Sequence, residues 1–429
     1  MEVNCVTDST CRAFDPGGLL CTVGEMHEAA NDERTQDPLI PDFSSKPYEI
    51  YCGDVLETVR RLKAGGTQFD CVITSPPYLK QRRYGRSSKE VGQEKDVQTF
   101  LSSLAGIFKE IPLRPWASVW VNLGDKRSGD GTLLGVPHLF IAAMLYAGFF
   151  LKDDVIWAKE VVTVDGQSVG HCQIEPAPGR LNGNGWEPFY HFVVDPPGAW
   201  ADPCAVQIPR DPERFFHKGT EDRVEQHAYS ASMKCATSIE GRRLANVWYV
   251  GSSRKGENHH AAYPVELIER PVAMTCPEFL VDDGGEIRPR VRVVEPTVYS
   301  EGAGKFITVY GQLSDWRGHH PQERATDAEG GPSLKALRGK SGRNDSARQY
   351  VPRYPRTVGW THQDKPFVGP GIVLDPFAGT GTTGEAAVLL GRRFVGIDLY
   401  EANVERMHRR CEAAFEELRR ARESASRTQ

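Results

Sequence analysis

The sequence predicts an α/β protein with a mostly parallel, doubly wound sheet, and three observations carry that expectation. Two short apolar runs, Phe69 to Thr74 and Gly371 to Leu374, read as buried strands that each empty into a loop. After the second loop, Gly384 to Leu390 is rich in Ala and Leu, Gly391 suits a C-terminal cap, and Arg393 to Asp398 reads as another strand ending in an acid. In an open α/β sheet the rim where strands end is where ligands bind. Both loops are therefore candidate functional sites.

The chain has 429 residues, a net charge of −5 and 39% hydrophobic residues. Residues 1–47 carry nine Asp or Glu against three Lys or Arg and show no sustained periodicity, the composition of a disordered leader. Ile50-Tyr51-Cys52-Gly53-Asp54 then precedes an amphipathic stretch from Val55 to Leu62, so Asp54 is placed to cap a helix. At the far end, Glu401 to about Arg422 spaces Val404, Met407, Cys411 and Phe415 along one helical face. Acids and bases interleave on the rest of that helix, which reads as a solvated final element.

The first loop is Thr74-Ser75-Pro76-Pro77-Tyr78. Two consecutive prolines fix φ and remove backbone donors, leaving a rigid turn that exposes carbonyl acceptors. Beside the Ser75 hydroxyl, such acceptors suit the N–H groups of an exocyclic amine, and Tyr78 offers a flat face. An amine conjugated to a base ring is a poor nucleophile, so orientation must do much of the catalytic work. Ser75, Pro76, Pro77 and Tyr78 are the candidate catalytic residues.

The second loop, Asp375-Pro376-Phe377-Ala378-Gly379-Thr380-Gly381-Thr382-Thr383, lacks the glycine spacing of a dinucleotide fingerprint and the Lys-Ser/Thr ending of a phosphate loop. A structural turn could look the same in isolation. The flanking acids favour a nucleoside, because Asp398 at the end of the next strand can accept hydrogen bonds from both ribose hydroxyls. A nucleoside carrying a sulfonium cation fits better than a polyphosphate.

Together these segments resemble the DNA amino-methyltransferases that use S-adenosylmethionine, in the permuted arrangement called the beta class, where the catalytic turn precedes the cofactor loop. Further segments carry the resemblance: Tyr84-Gly85 and Gly92-Gln93-Glu94 after the turn, Ser118 to Asp125, Val155 to Lys159, Trp186-Glu187-Pro188, Asn246-Val247-Trp248 and His260 to Ile268. Those beyond the two loops read as scaffold. The resemblance implies a Rossmann-like methyltransferase fold, mostly parallel with a reversed last strand and an inserted recognition region. It also implies S-adenosylmethionine bound by Asp54, Asp375, Phe377, Gly379, Gly381, Thr382, Thr383 and Asp398. A serine opening the Pro-Pro-Tyr motif goes more often with cytosine N4 than with adenine N6, in double-stranded DNA after base flipping. A separate restriction endonuclease acting on the same site is an expected partner.

Residues 48–276 and 371–429 are then the two halves of the catalytic domain. Between them, 277–370 is longer than the family link requires. From Arg288 to Trp360 it holds thirteen Lys or Arg against seven Asp or Glu, interleaved with aromatics, a composition suited to phosphate contact and base reading. It is the candidate recognition region, with 195–243 as the alternative. Ten scattered cysteines without a Cys-x-x-Cys pair, and no apolar run of membrane-spanning length, lead us to expect a cytoplasmic, DNA-associated protein without metal. His259 and His260 have no partners at metal-ligand spacing. Carbon-5 cytosine methylation would need a Pro-Cys nucleophile, and Cys276-Pro277 has the reverse order. An RNA or protein-amide methyltransferase, or an inactive DNA-binding protein, are the rival readings.

Overall fold

A computed structural model describes residues 45–80, 87, 89–162, 167–170, 185–203, 205–208, 237–238, 241–251, 263–295, 297–300, 305–308, 311–312 and 356–428. Its centre is one sheet of eight strands: β1 (Tyr48–Cys52), β2 (Phe69–Thr74), β3 (Leu113–Asn122), β4 (Phe150–Ala158), β5 (Trp186–Val193), β6 (Val247–Tyr249), β7 (Ile372–Asp375) and β8 (Arg393–Asp398). Their spatial order is β1-β8-β7-β2-β3-β5-β4-β6. Every neighbouring pair is parallel except the two made by β5, which runs against both β3 and β4. The expected reversal thus falls on a strand inside the sheet, neither at its edge nor last in the chain.

All six residues of β2 and all four of β7 are buried. Such continuous burial belongs to strands covered on both faces. Alternation sorts the side chains. Val72, Leu374, Val395 and Ile397 enter one core with helices α1 (Val55–Ala64), α2 (Val97–Glu110) and α3 (Val136–Tyr146). Cys71, Ile73, Val373 and Phe394 enter the other with α4 (Val265–Thr275), α5 (Thr382–Leu389) and α6 (Glu401–Thr428). Each fully buried Leu, Ile or Phe contributes about 1.5–3 kcal/mol. Asp54 caps α1, its carboxylate accepting from the Glu57 N–H at 2.9 Å, a contact worth about 1 kcal/mol.

The register of the two central strands positions the site. Cys71 lies beside Val373 and Val72 beside Leu374, so β2 and β7 end within one residue of each other and release their loops side by side. On the far side of β7, Asp375 pairs with Gly396, and at the edge Cys52 pairs with Asp398. Residues nearly three hundred positions apart in the chain therefore share one rim.

The final helix is more than a solvated element. Met407, Cys411 and Phe415 of the expected stripe are buried, joined by Ala414 and Leu418, while Arg410 reaches back to the loop that starts α5. The segment 277–370 is rooted beside β7, at the start of that strand. Gly371 N–H donates to the Pro277 carbonyl at 2.9 Å, and the Trp200 indole donates to the Arg290 carbonyl at 2.9 Å. Trp200 N–H in turn donates to the Trp116 carbonyl, near the start of β3. The root thus sits on the rim opposite the two loops, about 15–20 Å away at the usual strand rise. Residues 313–355, with most of the basic stretch, lie outside the described residues, as do 1–44 and 209–236.

The segments on either side of this root are joined by Arg292, which grips both carboxylate oxygens of Asp202 at 2.7–3.0 Å and lies over the Trp360 ring at 4.6 Å. Asp202 is buried. Removing the Asp202 carboxylate deletes a buried charge-assisted pair, so Asp202→Ala is expected to lower stability by about 3 kcal/mol. The denaturant midpoint measures it, and a change below about 0.5 kcal/mol, the surface-substitution range, would show that the pair does not hold the root.

Candidate active site

The loop after β7 divides into residues that build it and residues that remain open. Asp375, Gly381, Thr382 and Thr383 are buried, whereas Asp54, Phe377, Gly379 and Asp398 are half-buried. Asp375 Oδ2 receives the Thr383 hydroxyl at 2.5 Å and the Tyr263 hydroxyl at 3.1 Å, and its Oδ1 receives the Phe377 N–H at 3.1 Å. Burial pushes this carboxyl up to about 6, against the pull of those hydrogen bonds. Thr382 accepts from Arg410 at 2.6 Å. The side-chain oxygens of Asp375, Thr382 and Thr383 are engaged within the protein, and the space beside Gly381 is filled by Met407.

The two glycines differ for a physical reason. Gly381 has φ +88°, and an added Cβ would stand 2.6 Å from Met407 Cγ, so it exists to let α6 pack. Gly379 has φ +53°, with nothing within 4 Å of where a Cβ would be. Its bare backbone faces open space, and its N–H donates to Asp398 Oδ2 at 3.0 Å. The other Asp398 oxygen accepts from Tyr400 N–H at 2.9 Å and Asn403 at 3.1 Å. Burial raises the Asp398 carboxyl above its ordinary value. Asp54 stands close by, since Gly53 N–H donates to the Asp398 carbonyl at 2.9 Å.

On the neighbouring strand end, Ser75 is half-buried and its hydroxyl donates to Asn122 Oδ1 at 3.3 Å. Pro76 is buried and Pro77 half-buried. The Tyr78 hydroxyl lies 3.2 Å from Asn122 Oδ1 and 2.9 Å from Glu187 Oε2. Burial first, then the Glu187 charge, raises this phenol well above its usual value. Glu187 is paired with Lys159 at 2.5 Å. The Tyr78 ring lies so close to Gly124 that a Cβ there would stand 2.5 Å from its Cε2. Gly92 packs on the other side of the turn, accepting from Lys80 N–H at 2.7 Å, and Tyr400 donates to Glu90 at 3.1 Å across to the other loop. Tyr84 and Gly85 lie outside the described residues.

Asn122, Lys159 and Glu187, expected as scaffold, therefore join the Ser75–Tyr78 turn, and Tyr263 joins the loop after β7. A polar residue at a strand end was the available signal for Asn122. Among the described residues no group of three or more His, Cys, Asp or Glu could hold a metal ion, and no helix is long and apolar enough to cross a membrane. His259 and His260 fall outside them.

A family model described as DNA methylase, covering N6 and N4 amino-methyltransferases, matches residues 69–285 and 367–409. The chain belongs to this family. It is similar to the type II methyltransferase M.SfiI of Streptomyces fimbriatus, 24% identical over 409 residues that cover 84% of this chain and 89% of that one. M.SmaI of Serratia marcescens is 28% identical over 141 residues, covering 26% and 47%. Among solved structures, the cytosine-N4-specific PvuII DNA methyltransferase aligns with a TM-score of 0.43 and 15% identity, over 87% of this chain and 92% of that one. The protein is thus a DNA amino-methyltransferase, and S-adenosylmethionine is its methyl donor. The open half of the loop fits that cofactor: a bare backbone at Gly379 leaves room, and acids at Asp398 and Asp54 suit ribose hydroxyls and a cationic sulfonium.

Three outcomes follow. Gly381→Ala is expected to destabilise the fold through Met407. Gly379→Val should cost only the positive-φ strain of about 1–2 kcal/mol, yet weaken cofactor binding seen by calorimetry; equal affinity in a folded Gly379→Val would move the pocket elsewhere. For Asp375, the folded carboxyl holds its proton more tightly than the unfolded one, so its contribution to stability is present below about pH 4 and is lost as pH rises through about 6. Asp375→Asn should flatten that part of the stability-pH curve, and an unchanged slope would contradict the assignment.

Proposed function

We propose that the protein transfers a methyl group to the N4 amine of cytosine in double-stranded DNA, with Ser75-Pro76-Pro77-Tyr78 as the amine-holding turn. The observation that carries this reading is that β2 and β7 end within one residue of each other, which sets an acceptor-rich turn opening with serine beside a cofactor loop. A target base inside a duplex is out of reach, so it must be flipped into this rim at a cost of a few kcal/mol. Ser75 Oγ and the Pro76 carbonyl would accept the two amine hydrogens, turning the nitrogen lone pair toward the methyl donor. The Tyr78 ring, held by Gly124 and by its hydroxyl contacts, would lie against the base.

Asp398 and Asp54 would hold the ribose of the cofactor, with the Gly379 backbone and Phe377 beside it. Bound S-adenosylmethionine supplies an electrophilic methyl on a sulfonium that departs as a neutral thioether. The new bond is N–CH₃, the broken bond is CH₃–S, and the amine proton released afterwards passes to solvent. The turn residues act by orientation, which can be worth several kcal/mol of the barrier. Adenine N6 remains the second reading within the family, since its exocyclic amine has similar geometry. The type II methyltransferases among the relatives support a separate endonuclease as partner.

Methylating duplex DNA with the purified protein, digesting it to nucleosides and identifying the product by mass spectrometry tests the assignment. N4-methylcytosine is expected, and Tyr78→Ala should lose product while keeping cofactor affinity, at about 1–3 kcal/mol of lost stacking. Finding N6-methyladenine alone would overturn the base assignment.

A further inference from the structure

The turn has a requirement that its own four residues cannot meet. For Ser75 Oγ to accept an amine hydrogen, its own proton must be committed elsewhere, because a hydroxyl has one donor. Its hydrogen bond runs to Asn122 Oδ1 at 3.3 Å, and the orientation of that amide is fixed because Asn122 Nδ2 donates to the Pro188 carbonyl at 3.0 Å. The Tyr78 hydroxyl competes for the same oxygen at 3.2 Å. Left alone, Tyr78 and Ser75 would divide the two lone pairs of one amide oxygen, each held more weakly than it would be alone.

Glu187 resolves the competition. Its Oε2 lies 2.9 Å from the Tyr78 hydroxyl, nearer than Asn122 and carrying a charge, so it is the stronger acceptor. Its Oε1 is held by Lys159 at 2.5 Å, and that ammonium stands 4.5 Å over the Trp157 ring. Both ends of the pair are largely buried, with side-chain exposures of 19% and 17%. Asn122, Glu187 and Pro188 meet because β3 and β5 run antiparallel, with Asn122 opposite Phe189.

We infer that Glu187, anchored by Lys159, is a positioning residue that draws the Tyr78 proton away from Asn122 and so leaves the Asn122 carbonyl to Ser75, fixing the serine as an acceptor toward the target amine. The inference rests on the proposed role of the Ser75 turn. Glu187 itself touches neither the base nor the cofactor in this arrangement and acts through Tyr78. Its neutral isostere offers a weaker acceptor and also a donor, which permits Tyr78 to turn back toward Asn122.

A double-mutant cycle on the full chain tests this, with single-turnover methylation of duplex DNA as the rate and calorimetry of S-adenosylmethionine binding as the folding control. Glu187→Gln is expected to slow methyl transfer by about tenfold to a hundredfold, with cofactor affinity and the KM for DNA nearly unchanged. Tyr78→Phe abolishes the competing donor, so adding Glu187→Gln to it should slow transfer no further. Losses that multiply in the double variant, or an unchanged rate in Glu187→Gln, overturn the inference. Ser75→Ala serves as the reference. If it loses activity while Glu187→Gln does not, only the role of Glu187 fails; if Ser75→Ala is itself fully active, the reading of the turn fails and this inference with it.

Discussion

The parallel pairing of β2 with β7 is the constraint on which the site depends. Two register contacts, Cys71 with Val373 and Val72 with Leu374, fix where both strands end. Because side chains alternate along a strand, a slip of one residue would exchange the two cores and displace Ser75 relative to Gly379 together. The six helices among the described residues, three on each face, enforce that register by burying opposite sets of side chains from the same strands. Stability of the fold and alignment of the site are therefore one physical problem. A permuted order of segments is compatible with it, since strand pairing has no regard for chain order.

Around this axis the polar groups divide their labour by burial. Asp375, Thr383 and Tyr263 satisfy one another inside the sheet rim and tie β7 to α5 and to the entrance of α4. Asp398 is anchored through Gly379 and Tyr400 while keeping exposed surface. The Ser75–Tyr78 turn is fixed from the other flank, by Asn122 of β3 and Glu187 of β5. A buried carboxylate with its oxygens occupied makes a rigid strut; a half-buried one is available to a ligand.

Much of this was legible in the chain. The bounds of β2 and β8 coincide with the apolar runs that predict them, because strands covered on both faces leave a continuous hydrophobic signature. The turn and the Gly loop are legible because prolines and glycines impose backbone behaviour locally. What was not legible depends on distant contacts. Gly379 and Gly381 look alike until α6 brings Met407 against only one of them. Glu187 reads as scaffold until the antiparallel register of β5 carries it to Tyr78. The segment 277–370 reads as lying beside the strand that delivers the Gly loop, but its fastening to Trp200 and Asp202 rests on contacts between residues some ninety positions apart.

Hydrogen exchange on the full-length protein, followed by mass spectrometry with S-adenosylmethionine and then with cytosine-containing duplex DNA added, addresses the shared rim most directly. Cofactor should slow exchange in peptides covering 376–381 and 398–403, and DNA should extend that protection to 78–80 and 186–190. Protection by the cofactor confined to the opposite rim, around 277–291 and 360–371, would contradict a site built where β2 and β7 end.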